Sequence, residues 1–419
     1  MLARITPSPL KGTVPAIASK SMAHRLIICA ALANGETHVT CNTTCADIEA
    51  TVRCLTALGA RIETVEDGFQ VHPTMKSVEF GLLKALAGGT LDCGESGSTL
   101  RFFIPIALAL YGHGRFTGMG RLMKRPQGPY LDLFMEKGIN FSYAKETLEV
   151  SGKLTPGEYL MRGDVSSQFF SGLLFALPLL SGDSALAAST RLESLPYVDM
   201  TRGAQTKAGV EIEGGNGSYA IRGGQSYAPF SASVEADWSQ AAFWMMANVL
   251  GCGIRIRGMD DASMQGDRAH GLAIAETLAD KELKNVEIDI SDCPDLLPPA
   301  AAAAAVRGEG MVTSFRNAAR LRMKESDRLS TVTSVINALG GCAVEERDGI
   351  TICGLDSLNG GVEISCCGDH RIAMMAAVAA TRCNKRIVLD GAECVKKSYP
   401  SFWTEYKRLG GYVEELEDE

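Results

Sequence analysis

The residues best suited to chemistry lie at positions 320–328, where the chain reads Arg-Leu-Arg-Met-Lys-Glu-Ser-Asp-Arg. Arg320, Arg322 and Lys324 are cations at alternate positions, and Arg328 follows Lys324 by four residues. On a helix, residues four apart share a face, where like charges repel each other by roughly 0.2–0.5 kcal/mol. A bound anion would remove that repulsion. The segment therefore predicts a site for an anionic small molecule.

Similar segments, rich in cations, hydroxyls, amides and glycines, recur along the whole chain. They are Lys20-Ser21 with Arg25, Gly97 with Arg101, Arg125, Ser166-Ser167-Gln168, Ser194 with Tyr197, Asp369-His370-Arg371, and Lys397. Hydroxyls beside the free N–H groups of a helix start suit a phosphate, because helix N-termini attract anions. Asp295 follows an alternating segment at 286–290, near the carboxyl end of a predicted strand, where acid–base groups commonly lie. Together these segments predict one polyanion site.

Most of these segments are predicted at the starts of helices. Ser21 is the predicted N-cap of a helix that runs from Lys20 to about 33, with Met22, Leu26, Ile27 and Ala30 facing the core. The remaining predictions are Arg101 in the first turn of a helix at 102–110, Ser166-Ser167-Gln168 just before a helix from 169, Ser194–Tyr197 in a turn, Asp369 as the N-cap of a helix at 372–380, and Lys397 before the last helix.

The composition favours a globular protein with a small anionic ligand. Of 419 residues, 46% are hydrophobic and 21% are charged, and the net charge of −8 disfavours nucleic acids and anionic membranes as partners. No apolar run reaches the roughly 18 residues that span a bilayer, and no signal peptide is visible, so a cytoplasmic protein is predicted. Thirteen cysteines without a Cys-x-x-Cys pair predict free thiols and no zinc site. The acidic segment 414–419 is predicted to be solvated.

A pattern of helix, glycine and hairpin recurs about every 70 residues. The glycines are Gly59, Gly138, Gly209, Gly340 and Gly410, each a predicted C′ residue of a helix. Asp-Gly or Asn-Gly pairs follow several of them and predict tight hairpin turns. The longest gap, between 209 and 340, predicts one degenerate copy whose strand is 286–290. Six such units predict an α/β fold with mixed sheets.

The order of these motifs resembles the 5-enolpyruvylshikimate-3-phosphate synthases, a family of enolpyruvyl transferases. The resemblance runs from Lys20 to Pro400, and its strongest carriers are Lys20-Ser21 with Arg25, Ser166-Ser167-Gln168, Ser194 with Tyr197, Lys324-Glu325-Ser326-Asp327-Arg328, Asp369-His370-Arg371 and Lys397-Ser398-Tyr399-Pro400. It implies an α/β fold of two similar globular domains, each of three βαβαββ units in an inside-out α/β barrel, with the active site in the interdomain cleft.

The resemblance also implies where the domains lie. One domain is expected at 18–234, on the shikimate 3-phosphate side. The other is expected to combine 1–17 with 235–419, so that the chain crosses between domains near 17 and near 235. Three units in each domain agree with the six repeats expected from the glycine spacing.

The implied reaction transfers the enolpyruvyl group of phosphoenolpyruvate to the 5-hydroxyl of shikimate 3-phosphate, through a tetrahedral intermediate, in chorismate and aromatic amino acid biosynthesis. The resemblance implies that shikimate 3-phosphate is bound by Lys20, Ser21, Arg25, Ser166, Ser167, Gln168, Ser194, Tyr197, Asp295 and Lys324. It implies that phosphoenolpyruvate is bound by Lys20, Gly97, Arg125, Gln168, Arg328, Arg371 and Lys397. No cofactor, metal, nucleic acid or membrane is implied, and a monomer is expected.

The implied catalytic residues have distinct roles. Asp295 is the predicted base for the 5-hydroxyl, and Lys324 holds the same hydroxyl. Glu325 is the predicted donor of a proton to the methylene carbon, and Lys20 assists the departure of phosphate. The assignment of acid and base among Lys20, Asp295, Glu325 and His370 stays open, because the two half-reactions exchange roles.

The chain departs from the commonest family pattern at two places. The loop familiar as Gly-Asn-Ala-Gly-Thr reads Gly94-Glu95-Ser96-Gly97-Ser98, and Arg320 replaces an Asn usual before the Lys-Glu pair. A carboxylate at Glu95 would oppose an anionic ligand unless it turns away or meets a cation. The family also implies that glyphosate binds in the phosphoenolpyruvate subsite, where Gly97 leaves room for it.

Three alternatives are open at this point. An enolpyruvyl transferase acting on UDP-N-acetylglucosamine usually carries a reactive cysteine in the loop that matches 112–128, and this loop has none. A non-catalytic binder of phosphorylated metabolites would not need Lys20, Asp295, Glu325 and His370. An RNA-end-processing enzyme of similar repeats fits poorly with the acidic charge and the lack of a basic stripe.

Overall fold

The computed structural model describes residues 1–73, 89–144 and 146–416 of the chain. Residue contacts divide it into two compact units. The continuous unit is Ala18–Glu235, and the split unit combines Met1–Ile17 with Ala236–Glu419. We propose these units as the two domains that the resemblance implies. Of the acidic segment 414–419, residues 417–419 lie outside the described residues.

Helices and strands alternate through both units. The described helices are α1 Lys20–Leu32, α2 Ala46–Ala57, α3 Gly97–Tyr111, α4 Gly128–Glu136, α5 Ser167–Ala176, α6 Leu195–Lys207, α7 Trp238–Val249, α8 Gly266–Ala279, α9 Leu297–Ala304, α10 Arg328–Ala338, α11 His370–Ala380 and α12 Phe402–Arg408. Short 3₁₀ helices are Leu122–Lys124, Leu177–Leu179, Pro294–Leu296, Ala319–Met323 and Ala392–Lys397.

The strands are short and mostly of four or five residues. They are β1 Leu2–Thr6, β2 Lys11–Pro15, β3 Thr37–Thr40, β4 Arg61–Val65, β5 Gly68–His72, β6 Leu91–Asp92, β7 His113–Thr117, β8 Asn140–Ala144, β9 Thr147–Ser151, β10 Gly157–Met161, β11 Ser184–Ala188, β12 Ile212–Gly215, β13 Ser218–Ile221, β14 Ser231–Ser233, β15 Gly253–Arg257, β16 Asn285–Asp289, β17 Val312–Arg316, β18 Cys342–Glu346, β19 Gly349–Cys353, β20 Glu363–Ser365, β21 Ile387–Asp390 and β22 Tyr412–Leu416.

Five described sheets share one topology, a parallel pair followed by two antiparallel neighbours. Their strand orders are β14-β3-β5-β4, β6-β7-β9-β8, β10-β11-β13-β12, β16-β17-β19-β18 and β20-β21-β1-β22. The register repeats as well: β3 and β5 align Val39 with Phe69, and β17 and β19 align Phe315 with Ile350. All four of these side chains are buried. The predicted repeats and mixed sheets are therefore confirmed.

The degenerate repeat lies elsewhere than predicted. The predicted strand 286–290 exists as β16, but it pairs in parallel with β17 and belongs to the sheet with the hairpin β18–β19. The repeat without a hairpin consists of α7, β15 and α8, and its sheet among the described residues is the parallel pair β15–β2. The sequence pattern missed it because the search relied on the hairpin, which this repeat lacks.

The predicted C′ glycines are confirmed. Residues 59, 138, 209, 340 and 410 are glycines with φ of 103°, 68°, 73°, 85° and 90°. They follow α2, α4, α6, α10 and α12, the helices that precede the antiparallel strands of each repeat. A residue with a Cβ is strained at positive φ, so these positions end the helices sharply.

Each unit has its own hydrophobic core built around helices that are buried on nearly all sides. In α1, residues 22–32 are buried without exception, which includes the four side chains predicted to face inward. In α11, all eleven residues are buried, and seven of them, between Ala373 and Ala380, are alanine or methionine. A helix that is apolar all round requires surrounding layers, and the sheets of each unit supply them. No helix in the described part of the chain is long and apolar enough to span a bilayer.

We predict that Gly349→Ala destabilises the split unit by about 2–3 kcal/mol. A Cβ at Gly349 would lie 2.1 Å from the carbonyl oxygen of Phe315, a backbone atom that cannot yield without disturbing the β17–β19 pairing. All three tryptophans, Trp238, Trp244 and Trp403, lie in the split unit, so urea denaturation followed by tryptophan fluorescence measures its unfolding.

The matched control is Gly271→Ala, within α8 of the same unit. A Cβ at Gly271 would make ordinary contacts of 3.8 Å with Leu296 and Met245. Alanine lowers the entropy of the unfolded chain, so this variant is expected to gain about 0.5–1 kcal/mol. Equal stability of the two variants would contradict the steric argument.

Candidate active site

Helix α1 begins one residue before the predicted cap and carries three of the predicted site residues. Ser19, not Ser21, is the N-cap, and its Oγ accepts the N–H of Met22 at 3.4 Å. The N-cap differs from the prediction because the backbone N–H of Ser19 is bound to the carbonyl of Glu235 at 2.7 Å, which keeps Ser19 outside the helix. Ser21 instead lies in the first turn, beside Lys20.

Helix α3 begins five residues earlier than predicted. Its N-cap is Ser96, whose Oγ accepts the N–H of Thr99 at 3.2 Å, so Gly97 is the first helical residue and Arg101 lies in the second turn, not the first. The cap stabilises a helix start in a Gly-Ser-Thr segment that propensity alone favours as a loop. A Cβ at Gly97 would lie 2.7 Å from Nη1 of Arg125, so these two predicted residues are neighbours.

Arg101 joins the starts of α3 and α5. Its Nη1 donates to Oε1 of Gln168 at 2.7 Å, and its guanidinium lies 4.7 Å from the ring centroid of Phe169. Gln168 in turn donates to Oγ of Ser98 at 2.9 Å. Ser166 is the N-cap of α5, and Ser167 is its first residue, so both hydroxyls lie at the helix start that was predicted to receive a phosphate.

The segment Ser194–Tyr197 forms a helix start, and the predicted turn is wrong. Ser194 is the N-cap of α6 with a left-handed backbone (φ 56°), and Tyr197 lies in the first turn. Pro196 occupies a position near the start, where its missing N–H has no helical partner to lose. Like the starts of α1, α3 and α5, this start therefore carries predicted ligand residues.

Arg25 connects α1 with α6. It is 2% exposed, and its guanidinium donates to Oγ1 of Thr201 at 2.9 Å and to the carbonyls of Ser21 and Tyr197 at 2.6 and 2.8 Å. Burial lowers the pKa of Arg25 to about 10, partly opposed by Tyr197, so the group is charged at neutral pH. Its contacts hold a buried cation with neutral acceptors.

Lys20 is paired with a carboxylate on the neighbouring helix. Its Nζ lies 2.8 Å from Oδ2 of Asp47, in the first turn of α2. The side chain of Asp47 is 6% exposed and that of Lys20 is 17% exposed. This pair fixes the lysine at the start of α1 while leaving part of its ammonium accessible.

In the split unit, Arg328 is the centre of the predicted site. It is the first residue of α10 and only 1% exposed. Its guanidinium contacts three carboxylates at 2.8 Å, those of Asp369, Asp295 and Glu325. Burial alone would lower the pKa of Arg328, but the three carboxylates outweigh burial and raise that pKa above its usual range. The cation is permanently charged and fully coordinated by protein.

Asp295 bridges two arginines. Its carboxylate accepts from Arg328 at 2.8 Å and from Arg371 at 2.9 Å, and Nζ of Lys324 lies 3.8 Å away. Burial alone would raise the pKa of Asp295. The three cations outweigh it and hold that pKa well below its usual range. Asp295 lies in the 3₁₀ helix Pro294–Leu296, after β16, so the predicted position beyond a strand end is confirmed.

The other predicted site residues of the split unit lie around Arg328 and Asp295. Lys397 reaches Glu325 with an N–O distance of 3.3 Å. His370 is 1% exposed and follows Asp369, the confirmed N-cap of α11, whose side chain accepts the N–H of Arg371 at 3.0 Å. Burial lowers the pKa of Lys324 to about 8, although the Asp295 charge opposes the shift. Four cations thus face three carboxylates within one unit.

The segment 320–328 does not present its cations on one helix face. A 3₁₀ helix covers Ala319–Met323, Lys324 is extended, and α10 begins only at Arg328. Arg320 donates to the carbonyl of Ser291, and Arg322 is paired with Asp327 at 3.2 Å. Burial and, beyond it, the charges of Arg328 and Arg320 lower the pKa of Lys324, so like charges four residues apart still repel each other although no single helix covers the segment. Carboxylates and carbonyls of the chain itself neutralise these cations.

Sequence reasoning missed four residues that hold the site together. Asp369 was predicted as a cap but also binds Arg328, and Asp47, Thr201 and Ser239 were not singled out. Ser239 accepts from Arg371 at 3.0 Å. Only Asp369 had a sequence signal, because it lies within the Asp-His-Arg motif. The others pair with partners 27, 176 and 132 residues away in the sequence, which no local pattern reveals.

Glu95 turns toward a neighbouring loop. A Cβ at Gly120 (φ 58°) would lie 2.0 Å from Oε1 of Glu95, so the carboxylate packs against the backbone of Gly120.

Within the described residues, no cluster of His, Cys, Asp or Glu side chains has the arrangement of a metal site. All thirteen cysteines are free thiols.

The repeated sheets, each a parallel pair followed by two antiparallel neighbours, have the fold of solved enolpyruvyl transferases. The structure is similar to EPSP synthase from Acinetobacter baumannii, with a TM-score of 0.77 at 24% identity over 99% of this chain and 100% of that one. It is also similar to the enolpyruvyl transferase NikO from Streptomyces tendae, with a TM-score of 0.74 at 18% identity over 99% and 98% of the two chains.

Within that class, the chain belongs to the EPSP synthase (3-phosphoshikimate 1-carboxyvinyltransferase) family, whose sequence profile matches residues 5–406. The proteins named 3-phosphoshikimate 1-carboxyvinyltransferase from Clostridium beijerinckii and Clostridium kluyveri are each 42% identical to it, over 98% of both chains. The protein of that name from Clostridioides difficile is 40% identical, over 98% of this chain and 98% of that protein.

We predict that Asp369→Asn destabilises the split unit by about 2–3 kcal/mol, because a buried charge loses one of its carboxylate partners. Asparagine keeps the size of the side chain and an oxygen able to cap α11. The control is Glu287→Gln, which removes the charge from an exposed pair with Arg316 at 3.5 Å and is expected to cost less than about 0.5 kcal/mol. Tryptophan fluorescence during urea denaturation compares the two, and equal losses would refute the buried-charge argument.

Proposed function

We propose that this chain transfers the enolpyruvyl group of phosphoenolpyruvate to the 5-hydroxyl of shikimate 3-phosphate and releases inorganic phosphate. The observation that carries the proposal is the family match over residues 5–406, together with relatives of that name at 42% identity over nearly the full chain. The reaction belongs to chorismate and aromatic amino acid biosynthesis. It requires no cofactor, and we propose a cytoplasmic monomer.

The residues of the continuous unit suit shikimate 3-phosphate. Ser166, Ser167 and Ser194 stand at the starts of α5 and α6, where hydroxyls and free N–H groups can share the oxygens of a phosphate. Arg25 and Tyr197 are held together by a hydrogen bond of 2.8 Å, and we assign Arg25 to the substrate carboxylate. Ser21, Gln168 and Lys20 complete this set in our proposal.

Phosphoenolpyruvate carries a phosphate and a carboxylate, and arginine forks bind both bidentately. We assign Arg125, Gly97, Gln168 and Lys20 to one part of this substrate. We assign a second set from the split unit to the other part: Arg328, Arg371 and Lys397. In the structure, each of these three cations contacts Asp295 or Glu325. A bound anion therefore competes with the carboxylates of the protein itself.

That competition provides a way to activate the base. Asp295 is ionised at neutral pH, but a carboxylate held by Arg328 and Arg371 attracts protons weakly. If the carboxylate of phosphoenolpyruvate binds these guanidinium groups, Asp295 loses part of its stabilisation and its proton affinity rises. We propose that phosphoenolpyruvate binding in this way prepares Asp295 to accept the proton of the 5-hydroxyl.

The proposed chemistry proceeds by addition and elimination. The 5-oxygen bonds to C2 of phosphoenolpyruvate, its proton passes to Asp295, and C3 takes a proton from the protonated form of Glu325 to become a methyl group. The C2–O bond to phosphate then breaks, assisted by Lys20, and C3 returns its proton to Glu325 to form the enol ether. Lys324 orients the hydroxyl, and His370 stays a candidate for proton transfer.

Phosphate release from phosphoenolpyruvate and shikimate 3-phosphate tests this function. We expect release to depend on both substrates and to fall by about a hundredfold or more in Asp295→Ala and Glu325→Ala, which remove the acid–base groups. UDP-N-acetylglucosamine should not replace shikimate 3-phosphate. Acceptance of that nucleotide sugar, or binding of both substrates without release, would overturn the proposal.

We predict a basic limb near pH 8 in the kcat/KM of the free enzyme, because Lys324 has a pKa lowered to about 8. Below pH 8 the ammonium is charged and can hold the hydroxyl, and above it the charge is lost. Lys324→Arg keeps a cation at all accessible pH values, so its basic limb should move up by at least about one pH unit. If the basic limb of kcat/KM stays in place in Lys324→Arg, that limb reports the titration of a group other than Lys324.

We predict that Gly97→Ala raises the KM of phosphoenolpyruvate and weakens glyphosate inhibition, each by about tenfold. The added Cβ would lie 2.7 Å from Nη1 of Arg125, the mobile end of a side chain, so the arginine must move while the fold persists. Gly128→Ala is the control, since its Cβ would meet no atom within 4 Å. Steady-state kinetics with each substrate varied in turn measure both, and equal KM values would contradict the proposed place of Gly97.

A further inference from the structure

A chain of buried hydrogen bonds crosses three helices of the continuous unit. Nδ1 of His24 lies 2.7 Å from Oγ1 of Thr51, and Thr51 lies 2.8 Å from Oγ1 of Thr99. Thr99 donates to Oγ of Ser96 at 2.8 Å. All four side chains have an exposed fraction of 0%. The chain therefore runs from α1 through α2 to the N-cap of α3 without contact with solvent.

The chain lies beside the residues assigned to the substrates. His24 follows Lys20 by four residues on α1, and Thr51 follows Asp47 by four residues on α2. The Lys20–Asp47 pair and the His24–Thr51 hydrogen bond are thus two successive links between the same faces of the two helices. At its other end, Ser96 precedes Gly97 directly.

The hydrogen bonds of this chain all run in one direction, with each group donating to the next from His24 toward Ser96. Because Thr99 donates to Ser96, it accepts from Thr51, and Thr51 accepts from Nδ1–H of His24. Burial lowers the pKa of His24 to about 3, so the imidazole is neutral and carries one hydrogen. Among the described residues, Nε2 of His24 has no hydrogen-bond partner, which fits an unprotonated nitrogen there better than a buried N–H.

We infer that Thr51, with His24 and Thr99, is a positioning residue that sets the start of α3, and hence Gly97, relative to Lys20 on α1. An apolar side chain could not replace Thr51 in this role, because its hydroxyl accepts one hydrogen bond and donates the next. Loss of the central hydroxyl leaves the buried Nδ1–H of His24 without a partner and leaves Thr99 with only its bond to Ser96, which frees the α3 start to shift. The inference rests on the proposed function, which places Gly97 and Lys20 at phosphoenolpyruvate.

The test is Thr51→Val, which keeps the shape of the side chain and removes the hydroxyl. We expect the KM of phosphoenolpyruvate to rise about fivefold to tenfold, with kcat and the KM of shikimate 3-phosphate changed by less than about threefold. The two substrates differ because Gly97, next to the end of this hydrogen-bond chain, is assigned to phosphoenolpyruvate alone. Shikimate 3-phosphate is also assigned Arg25 and the serines of α5 and α6, which do not belong to the hydrogen-bond chain. Thr51→Ser restores the hydroxyl and should return the KM to within about twofold of the wild type.

The matched control is Thr37→Val in β3 of the same unit. Thr37 is equally buried, and its hydroxyl has no hydrogen-bond partner in the part of the chain that the structure describes. It should leave both KM values unchanged. The double variant Thr51→Val with Thr99→Val should be no worse than Thr51→Val alone, because the first substitution already breaks the chain.

Three results would overturn the inference: equal rises of both KM values, no rise in Thr51→Val, or a serine variant as impaired as the valine variant. If Thr51→Val does not fold, Thr99→Val breaks the next link and must show the same split between substrates. Turnover by the wild type tests the proposed function separately. An active wild type with an unaffected Thr51→Val defeats only the positioning role.

Discussion

The buried guanidinium of Arg328 requires several segments of the split unit to bring carboxylates to one place. A charge that is 1% exposed must be compensated by the protein, and Asp369, Asp295 and Glu325 provide that compensation from three different segments. Desolvation makes such an arrangement costly unless its geometry is good. Here each of the three carboxylates approaches the guanidinium to 2.8 Å, within the range of strong charge-assisted hydrogen bonds. The start of α11, the turn after β16 and the segment before α10 are therefore bound to one another.

The repeated architecture was predictable because its signals are local. Glycines at the ends of five helices, and Asp-Gly or Asn-Gly pairs in hairpins, reflect backbone conformations that few other residues adopt. The helix starts were harder to predict. Ser19 replaced Ser21 as a cap because Glu235, far along the chain, binds its backbone, and Ser96 began α3 inside a segment of low helix propensity. Caps depend on tertiary contacts as well as on residue type.

The candidate residues were predicted by resemblance, but their partners were not. The helix face of cations expected along 320–328 does not form, and the carboxylate partners of these cations lie up to 41 positions away, as for Arg328 and Asp369. The chain from His24 to Ser96 is similar: each member alone is an ordinary buried polar residue, and only the arrangement of three helices reveals their common direction. Sequence patterns identify which groups are present, whereas pairing depends on the whole fold.

The position of β1 has a consequence for synthesis on the ribosome. This strand, Leu2–Thr6, lies between β21 and β22 and hydrogen-bonds with both, although they are made some 380 residues later. At translation rates of about 5–20 residues per second, β1 waits on the order of 20–80 s for its neighbours. During that time the whole of 18–235 emerges, and its described strands, β3 to β14, pair only with one another. Newly made chains thus carry an early strand whose partners do not yet exist, and chaperones that shield exposed strand edges have a defined interval in which to act.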